Sequence, residues 1–209
     1  MSRVVAVAAF LALALSPAAA AHGGGAARGY HSSVTAIKPA TPGLEVRVLD
    51  ADDRLALTNK TGKTIVVLGY GGEPYVRLTT QAVFRNRRSP ATYLNEERFG
   101  AVALPERADP KAKPDWEQVA GRPYYEWHDH RIHWMSPVDP PQVRRAKDEP
   151  HHVFGWSVPL RVDTQRVTLK GRLDYQPPPN SEFNPLLLAP LAVIGLGGGA
   201  AWWWRRRRA

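Results

Sequence analysis

LEVRVLDADDRLAL, Leu44 to Leu57, carries the period of a β-hairpin. Leu44, Val46 and Val48 are apolar and Glu45 and Arg47 polar, so an extended chain here has one face for a core and one for water. Asp50, Ala51, Asp52 and Asp53 supply turn chemistry, after which Leu55 and Leu57 resume the alternation. A second turn, Asn59 to Lys63, precedes the β-branched run Thr64 to Leu68. Asn59, Lys60 and Thr61 also spell a glycosylation acceptor, but turn chemistry accounts for them without one. The second half repeats the pattern. Phe154, Trp156, Val158 and Leu160 alternate with Gly155, Ser157, Pro159 and Arg161, and a turn at Asp163 to Gln165 leads to Val167, Leu169, Gly171, Leu173 and Tyr175. Pro159 cannot donate to a ladder and predicts an edge strand. No segment between Ala108 and Val119 has a period of 3.6. The expectation is a mainly β domain over residues 44–176, an antiparallel β-sandwich of seven or eight strands with immunoglobulin-like or Greek-key connections.

The two ends carry addresses. Val4 to Leu15 is an apolar run behind Arg3, and small residues follow it from Ser16 to Ala21, the order of a cleaved secretory signal over residues 1–21. From Pro185 to Trp204 no residue is charged, and 20 residues at about 1.5 Å each span a bilayer core as one transmembrane helix. Trp202, Trp203 and Trp204 belong at a membrane interface, and Arg205, Arg206, Arg207 and Arg208 belong on the cytoplasmic side. These cues predict a single-pass protein of the cytoplasmic membrane with its domain outside and the tail 205–209 inside. Residues 22–43, rich in Gly and Ala before Lys38 to Gly43, read as a flexible segment. Residues 177–184 read as a Pro-rich stalk whose eight residues reach at most about 25 Å, so the domain works beside the lipid bilayer, within range of a neighbouring membrane protein.

Composition removes several chemistries. With no cysteine there is no disulfide, thiolate metal site, cysteine nucleophile or lipoprotein anchor. The net charge of +9 is concentrated at the ends. Setting aside Arg3 and the four tail arginines leaves 23 Lys and Arg against 19 Asp and Glu, an excess of four. That is not the basic stripe of a nucleic-acid binder, and Arg85, Asn86, Arg87 and Arg88 read as a solvated loop.

One segment is chemically loaded. Tyr124 to Met135 holds three of the chain's seven histidines, His128, His130 and His133, and the only methionine besides the initiator, Met135. On an extended backbone His128 and His130 share a face, and a turn at Arg131 lets His133 supply a third ligand. Imidazoles with a thioether suit copper, and His151 and His152 are reserve ligands. His22 would stand first in a chain cut after Ala21, where its amine and imidazole chelate copper together. The alternative is structural: Asp129 orients an imidazole or caps Arg131 while Trp127 and Trp134 pack. Ser136 and Ser157 lack the glycine-flanked setting of a nucleophile elbow, so no enzyme is expected.

An exported small β-sandwich with a histidine at the cleavage point loosely resembles the copper-resistance sandwich proteins, although their later ligand motifs are not found in order. Gly72 to Tyr75, Ser89 to Asn95 and Trp127 to Met135 resemble a family of membrane-anchored bacterial exported β-sandwich proteins of unassigned function. These readings converge on a non-catalytic, membrane-anchored, extracytoplasmic binding module, with an extracytoplasmic copper-binding protein as the alternative.

Overall fold

The structure, a computed structural model, describes residues 28–177. The signal segment, His22, residues 178–184, the apolar stretch 185–204 with Trp202, Trp203 and Trp204, and Arg205, Arg206, Arg207 and Arg208 lie outside the described residues. Among the described residues no helix is long and apolar enough to cross a membrane.

Ten strands and two short helices run in the order β1 (Tyr30–Lys38), β2 (Leu44–Leu49), β3 (Arg54–Asn59), β4 (Ile65–Leu68), β5 (Pro74–Leu78), β6 (Val83–Asn86), α1 (Ala91–Leu94), β7 (Trp116–Ala120), β8 (Tyr124–His128), α2 (Pro141–Arg145), β9 (His151–Val162) and β10 (Gln165–Tyr175). They form a seven-stranded sheet, β1-β10-β9-β4-β5-β6-β7, and a three-stranded sheet, β2-β3-β8, with every pairing antiparallel. One apolar core draws on both. Leu55, Leu57 and Trp127 of the small sheet share a buried cluster with Ile65, Val76, Leu160 and Leu169 of the large one. The fold is mainly β and sandwich-like, and its seven-plus-three division differs from the seven- or nine-stranded immunoglobulin arrangement.

The hairpins predicted from alternation are present. β2 and β3 pair Leu44 with Asn59 through Leu49 with Arg54, and β9 and β10 pair through the Asp163 turn. The first turn sets Asp50 at φ 51° and Ala51 at φ 66°, a region that side chains disfavour, and Ser32 N–H secures it by donating to Ala51 O. Asn59 ends β3, where the chain leaves the small sheet for β4 in the large one. Its buried amide donates to the carbonyls of Lys63, Leu78 and Thr79, while its Oδ1 accepts from Thr61 N–H and Oγ1. The turn reading of Asn59 is thereby explained, since this side chain clamps both sheets.

Four expectations need correction. Residues 30–38, read as part of the flexible segment, form β1 and pair with β10 along their length. The polar run His31, Ser32, Ser33 hides this strand because Ser32 turns inward, with its Oγ accepting from the buried Trp156 indole N–H at 2.8 Å. The described residues contain ten strands, not seven or eight. Pro159 lies on an interior strand between β10 and β4. β4 is only four residues long and its pairing with β9 stops at Leu160, so Pro159 interrupts no β4–β9 bond. Finally, Arg85 and Asn86 belong to β6, and Asn86 is buried with its amide donating to Pro74 O at 2.6 Å.

The first and last described residues meet. Gln176 N–H donates to Gly29 O, and nearby Arg28 and the Tyr30 hydroxyl both bond Asp139 Oδ1, at 2.6 and 2.8 Å. Burial alone would raise the Asp139 pKa, but these hydrogen bonds and the charges of Arg28 and Lys147 hold it below the usual carboxylate range. A carboxyl with a depressed folded pKa contributes stability that is full above its unfolded pKa, about 3.9, and is lost as pH falls below it. Asp139→Asn should flatten the acid limb of a stability–pH curve below about pH 4 while lowering the neutral plateau. An unchanged acid limb in urea titrations would remove Asp139 from the account.

Candidate functional site

The three predicted histidines come together at the end of β8. His128 is the last residue of that strand, opposite Arg54 of β3. Asp129 then folds the chain back: its carboxylate, with no exposed surface, accepts from Trp127 Nε1 and from Arg131 N–H, Nε and Nη2 at 2.7–3.1 Å. Ile132 N–H donates to Asp129 O and closes the turn, and Ile132 is buried. This turn puts the ring centroids of His128 and His133 5.3 Å apart, His130 and His133 5.6 Å, and His128 and His130 6.2 Å, all edge to face at 71–87°.

Those separations have a chemical meaning. A metal–imidazole bond of about 2.0–2.1 Å puts the ring centre about 3.2 Å from the ion, so two rings on one tetrahedral or trigonal ion lie about 5.2–5.5 Å apart. Two of the three pairs match, and the third is wider by less than about 1 Å. As the side chains stand, no group of three or more His, Asp or Glu among the described residues is in ligating geometry.

Each ring has one nitrogen facing an oxygen. His130 Nε2 is 2.9 Å from Glu97 O and His133 Nδ1 is 3.2 Å from Trp134 O. His128 Nε2 is 3.3 Å from Asp53 Oδ1, within charge attraction but without hydrogen-bond geometry. Metal-bound histidines carry this kind of outer partner, which fixes the ring and leaves the second nitrogen for the ion. His133 is 1% exposed, and its Nε2 is buried without a hydrogen-bond partner. Burial, helped by the Arg98 charge, pushes the His133 pKa down to about 4, so the ring is neutral at physiological pH. Burial also lowers that of His128, against the pull of Asp53 and with the push of Arg98. Neutral imidazole is the form that ligates metal.

The supports of the site were not legible as such in the sequence. Arg98 links Asp52 at 2.9 Å and Asp53 at 2.5 Å, holding the β2–β3 turn beside His128. Tyr70 stacks on His130 at 5.6 Å, accepts its backbone N–H and donates to Asn95. Gly100, at φ 66°, backs the same ring, and a Cβ there would come 2.9 Å from His130 Cε1. Glu97, whose carboxylate is kept below its usual pKa range by Ala101 and Phe99 N–H groups, shapes that turn. All of these are brought in from residues 30 to 76 positions away, and charge or glycine content alone does not mark them.

Met135 is exposed and lines, with His130 and His133, a pocket of about 350 Å³. The reserve ligands are engaged elsewhere. His151 Nε2 is 2.6 Å from Ala146 O and its ring stacks on Tyr175, while His152 pairs with Asp174 at 3.0 Å. Both line a different pocket with Arg172 and Tyr175. The structural role foreseen for Asp129 is also present, since it binds Arg131 and the buried Trp127. No protein-family profile, curated protein or solved structure matches this chain.

Proposed function

We propose that this chain is a non-catalytic binding module, exported and tethered by residues 185–204 close to the outer face of a cytoplasmic membrane, and that it binds a transition-metal ion, copper first, at His128, His130 and His133. One observation carries this reading: three edge-to-face imidazoles packed at nearly the spacing of a shared ion, with the Nε2 of the buried His133 unpartnered. The widest ring pair exceeds the separation expected on a shared ion by less than about 1 Å, so binding requires a side-chain adjustment of that order. A nitrogen set beside the thioether of Met135 favours copper over magnesium or calcium, which take oxygen ligands. The return of β9 to lie beside β4, alongside β5 and β6, supports the Greek-key form of the sandwich. The export signal, the interfacial tryptophans and the terminal arginines support the membrane topology.

Full-length protein in detergent, titrated with Cu(II), should develop a ligand-field band that saturates at one equivalent. His128→Ala with His130→Ala should weaken binding at least about 100-fold, because two of three ligands are gone, while the far-ultraviolet circular dichroism stays unchanged. An undiminished band in the double variant would place the copper elsewhere, the amino-terminal His22 included, and refute this site.

A further inference from the structure

A second pocket, about 340 Å³, shares His128 with the histidine cluster but neither of the other two rings. It lies between β8, through Tyr125 to His128, and the α1 segment, through Thr92, Asn95 and Glu96. Among the described residues five buried side-chain nitrogens lack a well-formed hydrogen bond, and three belong to residues lining this pocket: Arg85 Nε, Asn95 Nδ2, whose side chain also interacts with the Tyr75 hydroxyl, and His128 Nε2, which faces Asp53 at 3.3 Å. The other two have separate accounts. Arg77 sits over the rings of Phe84 and Trp116 at 4.6 Å each, and His133 belongs to the imidazole cluster. Buried polar atoms without partners are uncommon in folded proteins, so the unpartnered Arg85 Nε, with Asn95 and His128 only weakly engaged at the same pocket, points to a ligand with acceptor oxygens.

The charges narrow the class. Arg54 and Arg85 face Asp53, Glu96 and Glu126 across the pocket, a sum of −1, which disfavours a free anion. A lone cation gains little either, because each carboxylate already has a guanidinium: Arg85 with Glu96 at 3.9 Å, Arg54 with Glu126 at 3.8 Å, and Arg98 with Asp53 at 2.5 Å. The first two pairs are too long for hydrogen bonds; Arg85 Nη2 donates to Glu117 at 3.4 Å and Glu126 Oε1 accepts from the Tyr124 hydroxyl, which leaves Arg85 Nε and the other Glu126 oxygen with capacity for a third group. A hydroxyl both donates and accepts, and can bridge such a split pair. Tyr75 and Tyr125 add aromatic surface to the walls, and the volume is at the lower end of the usual range for ligand sites, about 300–1,000 Å³.

We infer that this pocket binds a neutral, hydroxyl-rich ligand, a sugar unit, gripped by Arg85 and Asn95 on one side and by Glu96 and Glu126 on the other. The inference does not depend on the metal reading. The chemistry fits a free monosaccharide or one residue of a glycan, and the probes separate these sources.

The test uses metal-free, full-length protein in a zwitterionic detergent without a sugar headgroup, followed by amide chemical shifts. Glucose, N-acetylglucosamine and the β-1,4-linked tetramer of the latter are the probes. Saturable shifts gathered at Arg85, Asn95 and Glu126 are expected from at least one, with the tetramer tighter if the natural ligand is a glycan and no tighter if it is a free sugar. Arg85→Met should weaken that binding by about tenfold or more, the loss of a hydrogen bond to a charged group. Glu96→Gln, on an exposed residue, should weaken it less while leaving the fold intact. The inference is overturned by an absence of saturable shifts from all three at tens of millimolar, by undiminished binding in Arg85→Met, or by shifts along β8 that appear with a triglycine control and with none of the sugars.

Discussion

Asp129→Ala is expected to destabilise the domain by about 3–5 kcal/mol, the largest single-residue effect outside the apolar core. Three things fail at once. The Arg131 guanidinium, 18% exposed at its side chain, loses a bidentate partner held at 2.7 and 2.8 Å and keeps only the hydrogen bond to Leu68 O and the face of the Tyr70 ring. The buried Trp127 indole N–H loses its acceptor, and the turn that presents His130 and His133 loses the bond from Arg131 N–H. Removing one member of a buried ion pair costs far more than the pair contributes, because the remaining charge stays desolvated. Asp129→Asn is the informative companion. Its carbonyl oxygen can still accept from Trp127, so it should recover part of the loss but not the charge compensation of Arg131. Urea unfolding read by tryptophan fluorescence measures both, and a loss below about 1 kcal/mol for Asp129→Ala would mean that this turn does not organise the site.

The second large effect lies in the sheet. A Cβ at Gly171 would stand 2.0 Å from Trp156 Cζ2 and 2.3 Å from the backbone oxygen of Ser33, so neither a rotamer change nor a small sheet adjustment relieves both contacts. Trp156 lies across Gly171 because β9 and β10 pair these two residues directly, and its indole is fixed by Ser32 of β1 on the far side of β10. Gly171→Ala should therefore destabilise by about 3 kcal/mol, at or above the upper end for overpacking, and should loosen β1 from β10. Combined with Trp156→Ala the penalty should be clearly less than the sum of the single effects, because the same crowding is removed from both sides. Additive losses, or a tolerated Gly171→Ala, would show that this tight approach is not maintained in solution.

The parts of this fold that could be read from the chain are those in which sequence neighbours are also structural neighbours. Leu44 to Leu57 and Phe154 to Tyr175 are hairpins, and alternation with turn residues suffices to find them. Asn59 and Asp129 were legible as local hydrogen-bonding residues for the same reason. β1 was hidden because His31, Ser32 and Ser33 look like loop, and their burial depends on Trp156, 124 residues from Ser32. Pro159 misled because its edge character is only local, set by where the short β4 stops. At the site, the grouping of His128, His130 and His133 follows from spacing plus one turn. Asp53, Glu97, Arg98 and Gly100 are placed by long-range pairing that no short window contains. His151 and His152 show the converse, since they are close in sequence to one another but held by Ala146, Asp174 and Tyr175.

The proposed site has three imidazoles sharing one ion. X-ray absorption at the copper edge of full-length protein loaded with one equivalent counts them directly. A shared ion should give multiple scattering from three imidazole rings with metal–nitrogen distances of about 2.0 Å, dropping to two rings in His133→Phe. A first shell of one imidazole with amine and backbone nitrogens, unchanged in His133→Phe, would contradict it.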